Sequence, residues 1–344
     1  FVFVIMCMAG TRPVIILSQR LISLCSKMFP FSQKRSFYCS ALIVGPLLGS
    51  LITEPAAMTV TAIILLNTFF LKGMSTKFKY ATLGLLFVNI SIGGTLSHFA
   101  APPVLMVAHE WHWGFMHMLT HFGYKATISV IVGTLVISQV FKKELEGEIE
   151  NSDGGDGKPS PRIWKYILHI LFLGLVVKTS HHMVFFIGLF IFFLGFTTIT
   201  ENYQDRIQIR ESLLVGFFLA GLVTLGKLQS WWLQPILSDL GEFTLFVGAT
   251  GLTAFTDNAA LTYLGTLVEG LSEQAKYSLV AGAVSGGGLT VIANAPNPAG
   301  YGILKDSFGE GGISPLGLLK SALFPTILAM ICFRIFASIG TGMH

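Results

Sequence analysis

Two carboxylates sit in the middle of long apolar runs, each inside the same seven-residue pattern. Thr53-Glu54-Pro55-Ala56-Ala57-Met58-Thr59 and Thr256-Asp257-Asn258-Ala259-Ala260-Leu261-Thr262 share the order Thr, acid, any residue, Ala, Ala, any residue, Thr. An ionisable side chain at membrane depth is expensive and therefore marks a functional site. The chemistry open to such a group is to take up and release a proton or a small cation. An apolar setting favours the neutral acid and a bound cation favours the carboxylate, so proton and Na+ exclude one another at a shared site. Na+ takes hard oxygen ligands, by the logic that governs Ca2+ and Mg2+. Thr53, Thr59, Thr95, Ser97, Thr256, Asn258, Thr262, Asn294 and Asn297 can supply them beside backbone carbonyls, placing Na+ at Glu54 and at Asp257.

Plainer roles compete with these. Glu54 and Asp257 could cap the helices that follow them, since an acid is favourable beside a helix N-terminus and Pro55 suits a first turn. Capping alone does not require the pattern to occur twice at membrane depth, and Glu54 is the only carboxylate in the first 109 residues. Buried hydroxyls and amides of membrane helices also bond neighbouring helices. His98 is a candidate for proton handling or a hydrogen-bonded core histidine. His117 and His121 are spaced i, i+4, as metal ligands on a helix can be. With His109, His112, Trp111 and Trp113 alongside, they read instead as an interfacial belt. Cys7, Cys25, Cys39 and Cys332 have no CxxC spacing and read as packing residues.

The elements that must position these groups are membrane helices. Of 344 residues 52% are hydrophobic and 12% charged, against about 25% charged in a soluble domain. Apolar stretches at 115–141, 163–180, 183–200, 212–226 and 315–333 approach the roughly 20 residues that cross a bilayer. The expected class is an all-α, polytopic protein of the plasma (inner) membrane, with the lipid bilayer and small cations as partners. No nucleic-acid partner and no cofactor are expected. The opening Phe1-Val2-Phe3 suggests a chain that starts within a helix with earlier residues missing, and residues 1–17 form one span interrupted at Gly10-Thr11-Arg12-Pro13.

Each heptad lies at the centre of its run, and half of the run from Phe37 to Leu71 is about 16 residues, short for a span. A re-entrant helical hairpin over about 37–71 therefore fits, with a second over about 243–268. Arg20, Lys27, Lys34, Arg35, Lys72, Lys77 and Lys79 flank the first hairpin, and only Lys227 and Lys276 flank the second. By the positive-inside rule the first enters from the cytoplasm and the second from outside. Between them the segments 81–108, 115–141, 163–180, 183–200 and 212–226 count as five crossings, an odd number, as opposite orientations require.

The repeat extends beyond the heptads. Gly93-Gly94-Thr95-Leu96-Ser97-His98-Phe99-Ala100-Ala101-Pro102 follows the first, and Gly287-Gly288-Leu289-Thr290-Val291-Ile292-Ala293-Asn294-Ala295-Pro296 the second. Both read as unwound breaks in a membrane helix, at 81–108 and about 277–300. The expected organisation is a first repeat over 1–141, a mobile polar linker over 142–162 and a second repeat over 163–344. Inverted-topology repeats with discontinuous helices meeting at the midplane are a transporter design.

The heptads, Phe99-Ala100-Ala101-Pro102-Pro103-Val104 and Ala293-Asn294-Ala295-Pro296-Asn297 resemble the ion transporter superfamily, most closely its Na+/H+ antiporter branch. That superfamily includes arsenite permeases and dicarboxylate and citrate carriers. The resemblance covers both repeats and little of 142–230. It implies alternating access by an elevator-like movement of the hairpin domain against a scaffold, usually in a homodimer. The dicarboxylate carriers carry Ser-Asn-Thr triplets where this sequence has acids, which favours a cation as cargo. An anion carrier of the same superfamily is the alternative, ahead of an intramembrane enzyme or a channel.

Overall fold

A chain in hydrocarbon must satisfy its backbone polar groups internally, and every regular element among the described residues is a helix. The computed structural model describes residues 1–149, 159, 161–180, 182–226, 228, 231 and 240–335. Lys227, Trp232, Asp239 and the linker acids Glu150, Asp153 and Asp156 lie outside these. Helices α1 (Val2–Ala9) and α2 (Arg12–Ser26) meet at a 66° bend, where Pro13 opens the first turn of α2. Then come α3 (Gln33–Ile52), α4 (Glu54–Leu65), which continues as a π turn over Leu66–Phe70, α5 (Thr76–Gly93) and α6 (Pro102–Ala108). A short α7 (Phe115–Met118) runs through the π turn Leu119–Gly123 into α8 (Tyr124–Val140). The second half holds α9 (Ile163–Lys178), α10 (Met183–Ile199), α11 (Ile209–Gly226), α12 (Glu242–Thr253), α13 (Asn258–Thr266), α14 (Glu273–Gly286), α15 (Asn297–Leu304) and α16 (Pro315–Ile335). Gln33–Ile52, Phe115–Val140 and Pro315–Ile335 are long and apolar enough to cross a membrane, and the bent α1–α2 pair makes a fourth candidate. The protein is an all-α integral membrane protein with several spanning helices.

Small residues set the helix pairings, because a glycine lets two backbones approach closely. Gly45 faces Thr61 and Gly49 faces Ala57, two pairs symmetric about Thr53, so α3 and α4 fold back antiparallel. Helix α5 runs parallel to α3: Tyr38 bonds Thr82, the Asn89 amide donates to Leu42 O at 2.9 Å, and Gly93 abuts Pro46. In the second half, Gly282 against Phe246 O and Gly286 against Thr250 O align α14 parallel to α12. The half-helices then exchange partners, α4 packing on α15 and α13 on α6.

Two expectations shift. Helix α3 begins at Gln33 and is 20 residues long, so length alone does not make it too short to span. Its polar first turn is helical because Arg35 is buried, donating to Gln139 Oε1 at 2.7 Å and to Ser138 Oγ and stacking over Phe31. The segment expected to be a mobile linker starts out docked: Leu145 is fully buried, and Glu144 accepts from Ser75 N and Ser75 Oγ at 2.9 and 2.8 Å.

Candidate ion-binding site

Helices stop at four places, Thr53, residues 94–101, residues 254–257 and residues 287–296. Each leaves a helix N-terminus, whose free N–H groups and dipole favour negative charge. Thr53 takes φ 81° and ψ 148°, a strained conformation for a β-branched residue. It lets the antiparallel arms meet without an intervening loop and sets Glu54 as the first residue of α4.

Glu54 is completely buried. Its Oε2 accepts from the Asn294 amide at 3.0 Å, a contact joining residues 240 apart in sequence. Its Oε1 has no hydrogen-bond partner, and it makes no capping bond. Gly94 lies directly against this carboxylate, where a Cβ would collide with Oε1 and stand 2.7 Å from Cγ. Among the described residues Glu54 is the only buried carboxylate. The buried cationic side chains sit on other partners: Arg12 on Pro159 O and Asp205, Arg35 on Ser138 and Gln139, Lys125 on Tyr277, Lys165 over the Tyr203 ring.

The neighbourhood of Glu54 is rich in uncommitted oxygen. Asn294 Oδ1, Asn258 Oδ1, Asn297 Oδ1 and Thr53 Oγ1 are buried without a hydrogen-bond partner. Backbone bonds tie them together, Asn258 N to Ala293 O and Asn297 N to Asn294 O, each at 3.0 Å. Their amide nitrogens are engaged: that of Asn258 with Ser91 Oγ at 3.3 Å, and that of Asn297 with Gly287 O and Thr290 O at 2.7 and 2.8 Å. An unpaired buried acceptor is costly. Five such oxygens lie on Glu54, on Thr53 before it, and on three asparagines linked to Glu54 through Asn294 and the backbone of Ala293.

Asp257 behaves differently. It is the N-cap of α13, half-buried, and its Oδ1 accepts from Ala259 N at 2.8 Å and Ala260 N at 3.3 Å. It lies near enough for its charge to act on Glu54. The other expected ligands are dispersed. Thr59, Thr95 and Thr262 donate to carbonyls of their own chain segment, at Pro55, Ile92 and Ala259. Ser97 donates to Ser50 O, and Thr256 is exposed. His98 is partly buried and lines a cavity of about 490 Å³ with His109, His112 and Trp113.

The histidine belt divides. His109 and His112 are exposed, but Trp113 is buried and stacks on His117, which stacks on His121 with ring centroids 4.1 Å apart. Face-to-face rings do not converge their nitrogens on one point, and among the described residues no group of three or more His, Cys, Asp or Glu could hold a metal.

Sequence reasoning missed Ser91 and Ser50. Ser91 Oγ donates to Val284 O at 2.7 Å while accepting from Asn258, joining α5 to both second-half breaks. Ser50 Oγ donates to Gly93 O and accepts from Leu96 N, holding the first break. A lone serine in an apolar helix gives no signal of this, since its register against another helix is a tertiary fact.

A buried acid among membrane helices is the kind of group an ion transporter uses. Residues 1–336 match the family described as "Putative Na+/H+ antiporter", and the chain belongs to that family. No curated protein matches the sequence.

Proposed function

We propose that the protein exchanges a monovalent cation, Na+ in the first place, for protons by alternating access, with both ions competing for Glu54. The observation that carries this reading is a fully buried carboxylate with no cationic side chain on it and one oxygen unpaired. An isolated buried charge is untenable, so Glu54 must be neutralised by a proton or by an imported cation. Asn294 serves both states. Its amide donates to the carboxylate, and rotated by half a turn its Oδ1 accepts from the protonated acid. When the proton leaves, the amide oxygens of Asn258, Asn294 and Asn297 and the Thr53 hydroxyl replace water around the cation.

Access from alternate sides would come from two oppositely oriented repeats, each a re-entrant hairpin followed by a discontinuous helix. The shared α3–α5 and α12–α14 pairing supports the repeat. Contacts of α5 with α14 and the residues just after it run in opposite senses, Ser91 with Val284 and Val88 with Gly288, which supports its inversion. A plasma-membrane homodimer moving its hairpin domain elevator-fashion fits the same reading. In proteoliposomes a Na+ gradient should drive proton flux, and the apparent KM for Na+ should rise in proportion to proton concentration at constant Vmax. Proton flux indifferent to every alkali cation would refute the reading.

A further inference from the structure

We propose that each protomer holds one cation site, not two, and that exchange is one cation for one proton with no net charge moved. This rests on the cation/proton reading above and adds its stoichiometry. The heptads predict two equivalent acidic sites, but the two halves contribute unlike parts. The first supplies the carboxylate, Glu54. The second supplies the amide oxygens, from Asn258, Asn294 and Asn297, where the corresponding residues of the first repeat are Pro55, Ala100 and Pro103 and carry no side-chain oxygen. The Asn294 to Glu54 hydrogen bond joins the two contributions into one cluster.

Asp257 is the other acid, and its geometry is that of a helix cap: its Oδ1 is committed to Ala259 N and Ala260 N. That role needs an oxygen acceptor and not a charge, and Asn and Ser fill it as well as Asp does. With Asp257 held as a helix cap and Glu54 the one acid bonded to the asparagine cluster, the balance is simple. Glu54–COOH releases H+ as Na+ binds to Glu54–COO−, and the return step reverses it. The loaded site is neutral in both directions. A divalent ion would leave an uncompensated positive charge in an apolar interior, so the cargo is monovalent.

The test is Na+-driven proton flux in proteoliposomes under K+/valinomycin diffusion potentials of about 100 mV of either sign. A cycle moving one net charge would be biased up to about 50-fold by that potential. The expected result is an initial rate unchanged within about twofold, a ratio of sodium to proton flux of one, and exchange retained in both Asp257→Asn and Asp257→Ser. A severalfold dependence on the sign of the potential would overturn the stoichiometry, as would a flux ratio other than one. So would loss of exchange in both Asp257 variants at unchanged thermal stability. These outcomes leave cation/proton exchange standing, whereas absence of any cation-driven flux in the wild-type protein overturns both.

Discussion

Gly94→Ala should weaken cation binding without unfolding the protein. Gly94 has φ −69° and ψ −11°, a conformation any residue adopts, so alanine adds no backbone strain there. Its methyl group would stand 2.7 Å from Glu54 Cγ and 2.9 Å from Cδ, and closer still to Oε1. The neighbour that must yield is the Glu54 side chain, and moving it breaks the 3.0 Å bond from Asn294. A hydrogen bond to a charged group contributes about 1.5–3 kcal/mol. At about 1.4 kcal/mol per factor of ten, cation affinity should fall roughly 10–150-fold. The assay is the Na+ dependence of proton flux in proteoliposomes. Gly302→Ala serves as the control, since nothing lies within 4 Å of a Cβ there. An apparent Na+ affinity for Gly94→Ala within twofold of wild type would show that Glu54 is not the binding group, or that its position does not matter.

Gly84→Ala should cost about 1–3 kcal/mol of stability in detergent, as overpacking does, because its Cβ would lie 2.7 Å from the backbone of Ser321 and Ala322, which cannot swing aside; an unchanged thermal midpoint contradicts this α5–α16 contact. Lys125→Met should leave stability unchanged or raise it. The Lys125 amine is buried with Tyr277 OH as its one hydrogen-bond partner, and Tyr277 retains its bond to Phe333 O without it, so a loss of about 3 kcal/mol or more, typical of a broken buried pair, would refute that reading. Asn297→Leu should raise the Na+ concentration needed for half-maximal flux severalfold; it also frees Gly287 O and Thr290 O, so thermal stability must be measured beside it.

The helices themselves were legible in the sequence because their cause is local. Apolar length, punctuation by Gly and Pro and the repeated heptad set expected breaks at the two heptads and over 93–102 and 287–296, and helices stop at Thr53, 94–101, 254–257 and 287–296. What the heptads could not reveal is that their two acids do different work. Glu54 and Asp257 occupy equivalent positions in the pattern, yet Pro55 follows one and Asn258 the other. Asp257 precedes its helix and reaches back to cap it, whereas Glu54 is already inside the first turn and reaches across to Asn294. A one-residue difference in helix start decides the role, and helix starts are the least certain feature of any pattern. Thr59, Thr95 and Thr262 were equally plausible ligands by type. Their hydroxyls turn back onto nearby carbonyls, the usual fate of threonine within a helix, while the amides spend their nitrogens on Ser91 Oγ, Glu54 and the Gly287 and Thr290 carbonyls and keep their oxygens buried without a partner.

Replacing the buried acid Glu54 tests the central claim most directly. Glu54→Gln keeps the shape of the side chain and its contact with Asn294 but can neither release a proton nor balance a cation. In proteoliposomes it should reduce Na+-driven proton flux to the level of protein-free vesicles, with a thermal midpoint close to that of the wild type, since a neutral amide replaces a neutralised acid of the same shape. Exchange by Glu54→Gln at the wild-type rate would contradict the shared-site mechanism outright.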